Sequence, residues 1–286
     1  MPGALTVRMR QIVVYAAALV VFAWVALPVL WLLNSSIHPE QDLLRDPPNF
    51  LPTHLTLNYY IWMFTGGGSG TGQERLIPRS LLNSVVIASC VALINLSVAA
   101  PAAYALSRFR FLYRELIVNG LLASRMVPSL ALLVPFYLLF RTVGLTDSLA
   151  GIVIAHTAIS VPFTIWILRG HFDRIPLEIE KAGRVDGCSR LQVFRHVALP
   201  LAVPGLVVAG LFAFMLSWNE FALAVVLTAS PDAMPVQPTL AGLYSYQGVS
   251  YGFLFAGAVL AAVPPAVIAF VLQRHLTHGL LEGSVK

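Results

Sequence analysis

The chain has 286 residues, of which 58% are apolar and 11% charged, with a formal net charge of +5 and a mean hydropathy of +0.79. Soluble domains carry about 25% charged residues. The composition therefore excludes an ordinary soluble enzyme, a disordered chain and a nucleic-acid binder, and leaves a membrane transporter, channel or membrane enzyme.

Six segments read as membrane-spanning helices, at about 11–33, 80–106, 116–140, 148–168, 204–228 and 249–272. Four contain no charged residue; the third holds Arg125 and the fifth Glu220. About 20 predominantly apolar residues cross a bilayer. Hydrocarbon forces every backbone polar group into internal pairing, so each segment is predicted helical and the fold class all-α. Pro28, Pro101, Pro128, Pro135 and Pro162 fall inside these segments and predict bends. Arg8 and Arg10 before the first segment imitate a signal peptide. The apolar run is too long for one and no clear small-residue cleavage site follows, so a retained span is expected.

The basic residues orient the spans. With the N-terminus inside, 13 of the 18 Lys and Arg fall in inside segments and 4 outside, with Arg125 in a span. Cytoplasmic loops collect Lys and Arg, so both termini are predicted cytoplasmic. The 34–79 loop then lies outside. Its glycine-rich stretch, 66–72, is not a phosphate loop, because no Gly-Lys-Ser/Thr follows. The cysteines, Cys90 and Cys188, fall in different segments and build neither a disulfide framework nor a metal site. The seven histidines do not cluster at metal-ligand spacing, and no nucleophile–base arrangement is supported, so no catalytic or metal site is assigned.

The inside loop, 171–203, is too polar to span. Pro176 suits a first helical position, with Glu178 and Glu180 following in the first turns. Ala182, Gly183 and Gly187 are small, and glycine weakens a helix by up to ~1 kcal/mol, a cost that close approach to a partner offsets. Ser189 suits the cap of a second helix. There Leu191, Phe194 and Val197 recur at a spacing that gives one apolar face. Taken alone, these residues describe either two surface helices joining two spans or a docking element.

This loop resembles the coupling loop of ABC-importer permeases, whose pattern is Glu-Ala-Ala, three residues, Gly, nine residues, then Ile-x-Leu-Pro. Lys181-Ala182-Gly183 stands in the Glu-Ala-Ala place, Gly187 in the Gly place, and Val197-Ala198-Leu199-Pro200 at the end. The first and third triplet positions depart from the pattern, and Glu180 lies one residue early. Met126-Val127-Pro128, Pro135-Phe136-Tyr137 and Gly144-Leu145 are similar to the third-span region of carbohydrate permeases. So are Val161-Pro162-Phe163 with Trp166 and Leu168-Arg169-Gly170, and the fifth-span stretch Ser217 to Phe221. The tail from Gly279 to Lys286 resembles that of the maltose-type second permease subunit.

The resemblance implies a type I importer permease with six spans, paired with a second permease subunit as a heterodimer. It also implies two ATP-binding subunits that hold ATP and Mg, and an extracytoplasmic solute-binding protein, as a lipoprotein. The chain itself is then no enzyme and binds no cofactor. The coupling residues implied are Glu178, Glu180, Lys181, Ala182, Gly183, Asp186, Gly187, Arg190, Leu199 and Pro200. Trp218, Asn219, Glu220, Asn83, Arg125 and Tyr137 are candidates for pathway or solute contacts, against packing roles. Arg125 is a candidate partner for Glu220, since an intramembrane ionisable group is expensive without one. The solute class implied is a sugar. Glycerol 3-phosphate or another polyol ester stands as the alternative, and an ion-coupled secondary transporter as a more distant one.

Overall fold

The computed structural model describes residues 3–45, 49–67, 72–245 and 248–281. The first of these residues enter a single long helix, α1 (Gly3–Ser35), with the apolar run at its heart. The chain forms two compact units, residues 1–77 with 242–261, and residues 78–241 with 262–286.

In the first unit, α1 is followed by the short helices α2 (Glu40–Leu43) and α3 (Asn58–Thr65). The Tyr60 hydroxyl donates to Ser36 Oγ at 2.7 Å, and Glu40 accepts the Tyr251 amide at 2.9 Å. Tyr59 lies edge-on to Phe253 at 5.3 Å and directly over Gly252, where a Cβ would meet its ring at 2.2 Å. Asp42 accepts from the Thr53 amide and hydroxyl at 2.9 and 2.7 Å, closing the loop between α2 and α3. Of the glycine-rich stretch, Gly66 and Gly72 adopt positive φ, and residues 68–71 lie outside the described residues. Two paired two-residue strands, Tyr244–Ser245 and Gly248–Val249, are the only strands among the described residues. Everything else regular is helical.

The second unit holds nearly all of α4 (Ile77–Arg108), then α5 (Arg114–Ser124), α6 (Leu133–Thr142) and α7 (Leu149–Phe172). Next come α8 (Leu177–Val185), α9 (Arg190–Val193), a π turn over Phe194–Ala198, and α10 (Leu199–Leu201). α11 (Val203–Trp218), α12 (Ala222–Leu227) and α13 (Val236–Gly242) follow. α14 (Tyr251–Leu281) begins in the first unit and ends in the second.

A core of Ala99, Ala103, Tyr104, Ile165, Leu168, Phe172, Ala198 and Ala209 joins α4, α7, the loop and α11. Small residues at such seams let apolar helices approach closely where no water drives them together. His171 sits on Gly205 so tightly that a Cβ there would meet the imidazole at 1.9 Å. Several polar groups inside the bundle pair across α4 and α7. Asn95 donates to Ser160 Oγ at 2.8 Å, and Ser160 donates to the His156 carbonyl at 2.6 Å.

Four helical stretches have the length and composition to cross a membrane: Met9–Ser35, Gln73–Arg108, Leu149–Phe172 and Tyr251–Gln273. Two further pairs qualify only as bent spans. Arg114–Ser124 and Ser129–Thr142 meet at 92°, and Arg190–Leu201 and Val203–Trp218 at 76°. The sequence suggested continuous helices over 116–140 and 204–228, and both are broken. The first break falls before Pro128, which has no N–H to give and disfavours helical backbone at Val127. The 76° bend lies at Ala202, ahead of the 204–228 segment, and that segment is itself interrupted at Asn219–Phe221, between α11 and α12.

Candidate functional site

Two places gather the candidate residues. The first is the surface of the 171–203 loop. α8 ends in a Schellman motif: the Cys188 amide donates to the Gly183 carbonyl at 3.0 Å and the Gly187 amide to Arg184 at 3.2 Å. That closure needs a left-handed residue, and Gly187 supplies φ +92°. Nothing lies within 4 Å of where its Cβ would be, so the glycine serves the turn rather than a tight contact inside the chain. Ser189 then starts α9 with a capping box, its amide donating to Gln192 Oε1 at 2.7 Å and its Oγ accepting the Gln192 amide at 3.3 Å.

Around this turn Glu178, Lys181, Ala182, Asp186, Gly187, Arg190 and Pro200 are exposed, and Gly183 and Leu199 half-buried. Val185 is 87% and Leu191 73% exposed. These two apolar side chains flank the charged turn and are left largely uncovered by the rest of the described residues. The single apolar face expected from Leu191, Phe194 and Val197 does not form. Leu191 points out, while Val193 and Ala198 are buried and Phe194 packs on Tyr104 with ring centroids 4.8 Å apart. The π turn over 194–198 changes the angular spacing, so a count of threes selects the wrong side.

Glu180 also departs from the surface. It is buried, with Arg108 Nε donating to Oε1 at 2.6 Å and the Tyr104 hydroxyl to Oε2 at 2.8 Å. Neither Arg108 nor Tyr104 was suggested by the sequence. They lie 72 and 76 residues away, and only the fold brings them beneath α8.

The second place is a cavity of about 600 Å³ lined by Arg125, Ser129, Phe212, Asn219, Glu220 and Phe221 among others. It is bordered by both span breaks. Arg125 is exposed to the cavity; one guanidinium nitrogen donates to the Ile159 carbonyl at 2.7 Å, and its carbon lies 5.7 Å from the Phe163 ring centroid. That hydrogen bond ties the end of α5 to α7, three residues before Pro162. Arg125 and Glu220 share the cavity but make no ion pair with each other. The carboxylate instead accepts the Leu223 amide at 3.1 Å and the Ala224 amide at 3.2 Å, fixing the start of α12. One of its oxygens is 3.3 Å from His156 Nε2, while His156 Nδ1 is 2.9 Å from Ser217 Oγ. With the proton on Nε2, Nδ1 accepts from the Ser217 hydroxyl, while Nε2 approaches the carboxylate without hydrogen-bond geometry. His156 is the partner that the sequence did not reveal, because its span gives no sign of which side it faces.

The remaining candidates disperse. Trp218 is 3% exposed and stacked on Phe214 at 5.6 Å, so it packs and presents no face to a solute. Asn83 is buried and donates to the carbonyls of Asp232 and Met234 at 3.0 and 3.1 Å, a structural tie. Tyr137 lies on α6 and is not among the residues lining the cavity. The tail motif from Gly279 falls where no side chain is described.

Residues 96–281 match the family described as "Binding-protein-dependent transport system inner membrane component". The trehalose transport system permease protein SugB of Mycobacterium tuberculosis is 32% identical over 271 residues, covering 93% of this chain and 94% of that one. The maltodextrin transport system permease protein MdxG of Bacillus subtilis is 34% identical over 229 residues, covering 78% and 82%. A chain in the crystal structure of a bacterial ABC transporter that imports alginate superposes with a TM-score of 0.75 at 25% identity, over 92% of this chain and 95% of that one. A chain of the methionine transporter MetNI shares the fold at a TM-score of 0.60 and 22% identity. ATP hydrolysis in such importers is carried by separate subunits, so the chain is a permease and not an enzyme. The bent spans, the exposed loop turn and the cavity thus belong to a multi-pass inner-membrane component of the binding-protein-dependent ABC importer family.

Proposed function

We propose that this chain is one of two permease subunits that line the path of a carbohydrate across the membrane. An extracytoplasmic binding protein delivers the solute, and two ATP-binding subunits, which hold ATP and Mg, dock on the 171–203 loop. Both termini then lie in the cytoplasm, as the basic residues indicate. The observation that carries the docking reading is the exposed strip of Val185, Asp186, Gly187 and Leu191 on a turn closed by its own hydrogen bonds. Its shape is set before any partner arrives, so docking orders little and costs little conformational entropy. The solute class is supported by the relatives named for trehalose and maltodextrin transport. The cavity agrees with it, because Phe212 and Phe221 offer apolar faces beside the donors of Arg125, Ser129 and Asn219. A second permease subunit is supported by the exposed Arg125. A cation facing lipid is expensive, and a cavity closed by a partner chain removes that cost.

The test is ATP-dependent uptake of labelled trehalose and maltodextrins by proteoliposomes holding this chain with its partner subunits and binding protein. Uptake of either sugar is expected, and uptake that persists without ATP would overturn the reading. One observation favours the polyol-ester alternative: the guanidinium of Arg125 suits a phosphate as well as a hydroxyl. Arg125→Met separates the two. KM should rise about tenfold or more for a phosphorylated solute, since a charge-assisted hydrogen bond is worth roughly twice a neutral one, and only a few-fold for a neutral sugar.

A further inference from the structure

The acids of the 171–203 loop are not equivalent. Glu178 and Asp186 are exposed, whereas Glu180 is buried with both carboxylate oxygens occupied by Arg108 and Tyr104. The side chains of Arg108 and Glu180 are only 8% and 9% exposed. Arg108 spends its other nitrogens on the Ile175 carbonyl at 3.0 Å and on Ser107 Oγ at 2.9 Å. The Ser107 hydroxyl donates onward to Asp173, just past α7. Asp173 lies 3.6 Å from Arg169, which reaches Glu115 on α5 at 3.5 Å. Hydrogen bonds therefore join α8 to the end of α4 and to Asp173 just past α7, and looser charge contacts continue to α5.

The opposite end of α4 is pinned as well. Arg79 pairs with Asp232 at 3.0 Å, Asn83 donates to the carbonyls of Asp232 and Met234, and Ser84 Oγ accepts the Val236 amide at 2.8 Å. A helix of this length reaches across a bilayer at about 1.5 Å per residue. It is held by directional polar contacts at each end, with apolar packing and the buried Asn95–Ser160 hydrogen bond between.

We infer that Glu180 is a positioning residue and α4 a transmission rod: the buried Glu180–Arg108–Tyr104 joint carries movement of the docked loop into the second span and so to the 229–236 segment at the far end. The inference rests on the reading of the loop as the ATPase docking site. Apolar contacts slide over one another at small cost. A desolvated charge pair with a third hydrogen bond has one short-range geometry, so α8 cannot shift without drawing α4 along.

The experiment uses the complete transporter in nanodiscs, with Cys90 and Cys188 replaced by Ser and Ala229→Cys as an exposed reporter for a membrane-impermeant maleimide. Labelling is compared without nucleotide and after trapping with ATP and vanadate. The parent should respond by at least about fivefold, the low end of ordinary coupling between sites. In Glu180→Gln the response should fall below about twofold while ATP hydrolysis stays within about twofold of the parent and the ATPase remains bound. Glu180→Asp should recover part of the response. If Glu180→Gln does not accumulate, Tyr104→Phe, which removes one hydrogen bond and no charge, should weaken the response in the same direction. A full response in Glu180→Gln overturns the proposal, as does equal labelling of the parent in both states. Loss of the ATPase from Glu180→Gln also overturns it, since Glu180 would then be a docking contact. Val185→Asp serves as the separate check: if it leaves the ATPase bound, the docking reading itself has failed.

Discussion

Gly187 and Asp147 both adopt positive φ, at +92° and +54°, for different ends. Gly187 closes α8, and its Cβ position is empty, so a larger residue meets backbone strain rather than a clash. Left-handed backbone costs a side-chain-bearing residue roughly 1–2 kcal/mol. Gly187→Leu should therefore reshape the docking turn while leaving the spans assembled. The expected result is loss of transport and of ATPase co-purification, with unchanged helical circular dichroism; normal transport would count against docking there. Asp147 tolerates its strain because its carboxylate accepts the Ala229 and Ser230 amides, each at 2.9 Å, and its own amide donates to Leu227 at 2.7 Å. Those amides, Ser230 foremost, hold its pKa below the ordinary 3.8. A depressed carboxylate contributes stability that is present above the unfolded-state pKa and is lost as pH falls through the lower folded value. The melting temperature of the parent should thus drop more steeply than that of Asp147→Asn between about pH 5 and about pH 3. Parallel curves would show that the charge adds nothing to this joint.

Among the elements, α8 and α9 were readable as short helices from Pro176 and Ser189, because helix starts are written locally; Pro176 stands at the cap of α8, one place earlier than expected, and Gly187, expected only to weaken the helix, closes it. Which side of α8 faces inward was not readable. Glu178 and Glu180 look alike in sequence, and only Arg108 and Tyr104 distinguish them. The long helices were legible because 20-odd residues without a charge admit one reading in lipid. The breaks were not, since hydropathy counts side chains and is blind to where the backbone turns. Val185→Asp combined with Leu191→Asp places charge on both exposed apolar groups of the strip. Because neither side chain contributes to the chain's own core, the variant should fold with little loss of stability. Pull-down of the ATP-binding subunit should fall by tenfold or more, on the order of 1.4 kcal/mol at the interface. Retained binding would move the docking surface elsewhere.

At the scale of the whole molecule, the sparse charges sit where the fold uses them. The basic residues expected inside include Lys181, Arg184 and Arg190, which line one pocket with Arg108 and Glu180, and those expected outside include Arg79, which pairs with Asp232. The orientation is checked by single cysteines at Asp186 and Ala229 in a background without Cys90 and Cys188. An impermeant maleimide should label the first only after the membrane is opened, and the second in intact cells. The reverse pattern would invert the topology drawn from the basic residues.

The break between α5 and α6 has one more consequence. Irregular backbone at membrane depth survives only where protein covers it or water reaches it. This break opens on the cavity through Arg125 and Ser129. On the proposed pathway, either water or the partner chain meets that backbone, and both give Arg125 a local dielectric above that of lipid. On that pathway, a hydroxylated solute reaching Arg125, Ser129 and Asn219 would trade water contacts for protein donors a few at a time, spreading the climb out of bulk solvent over small steps.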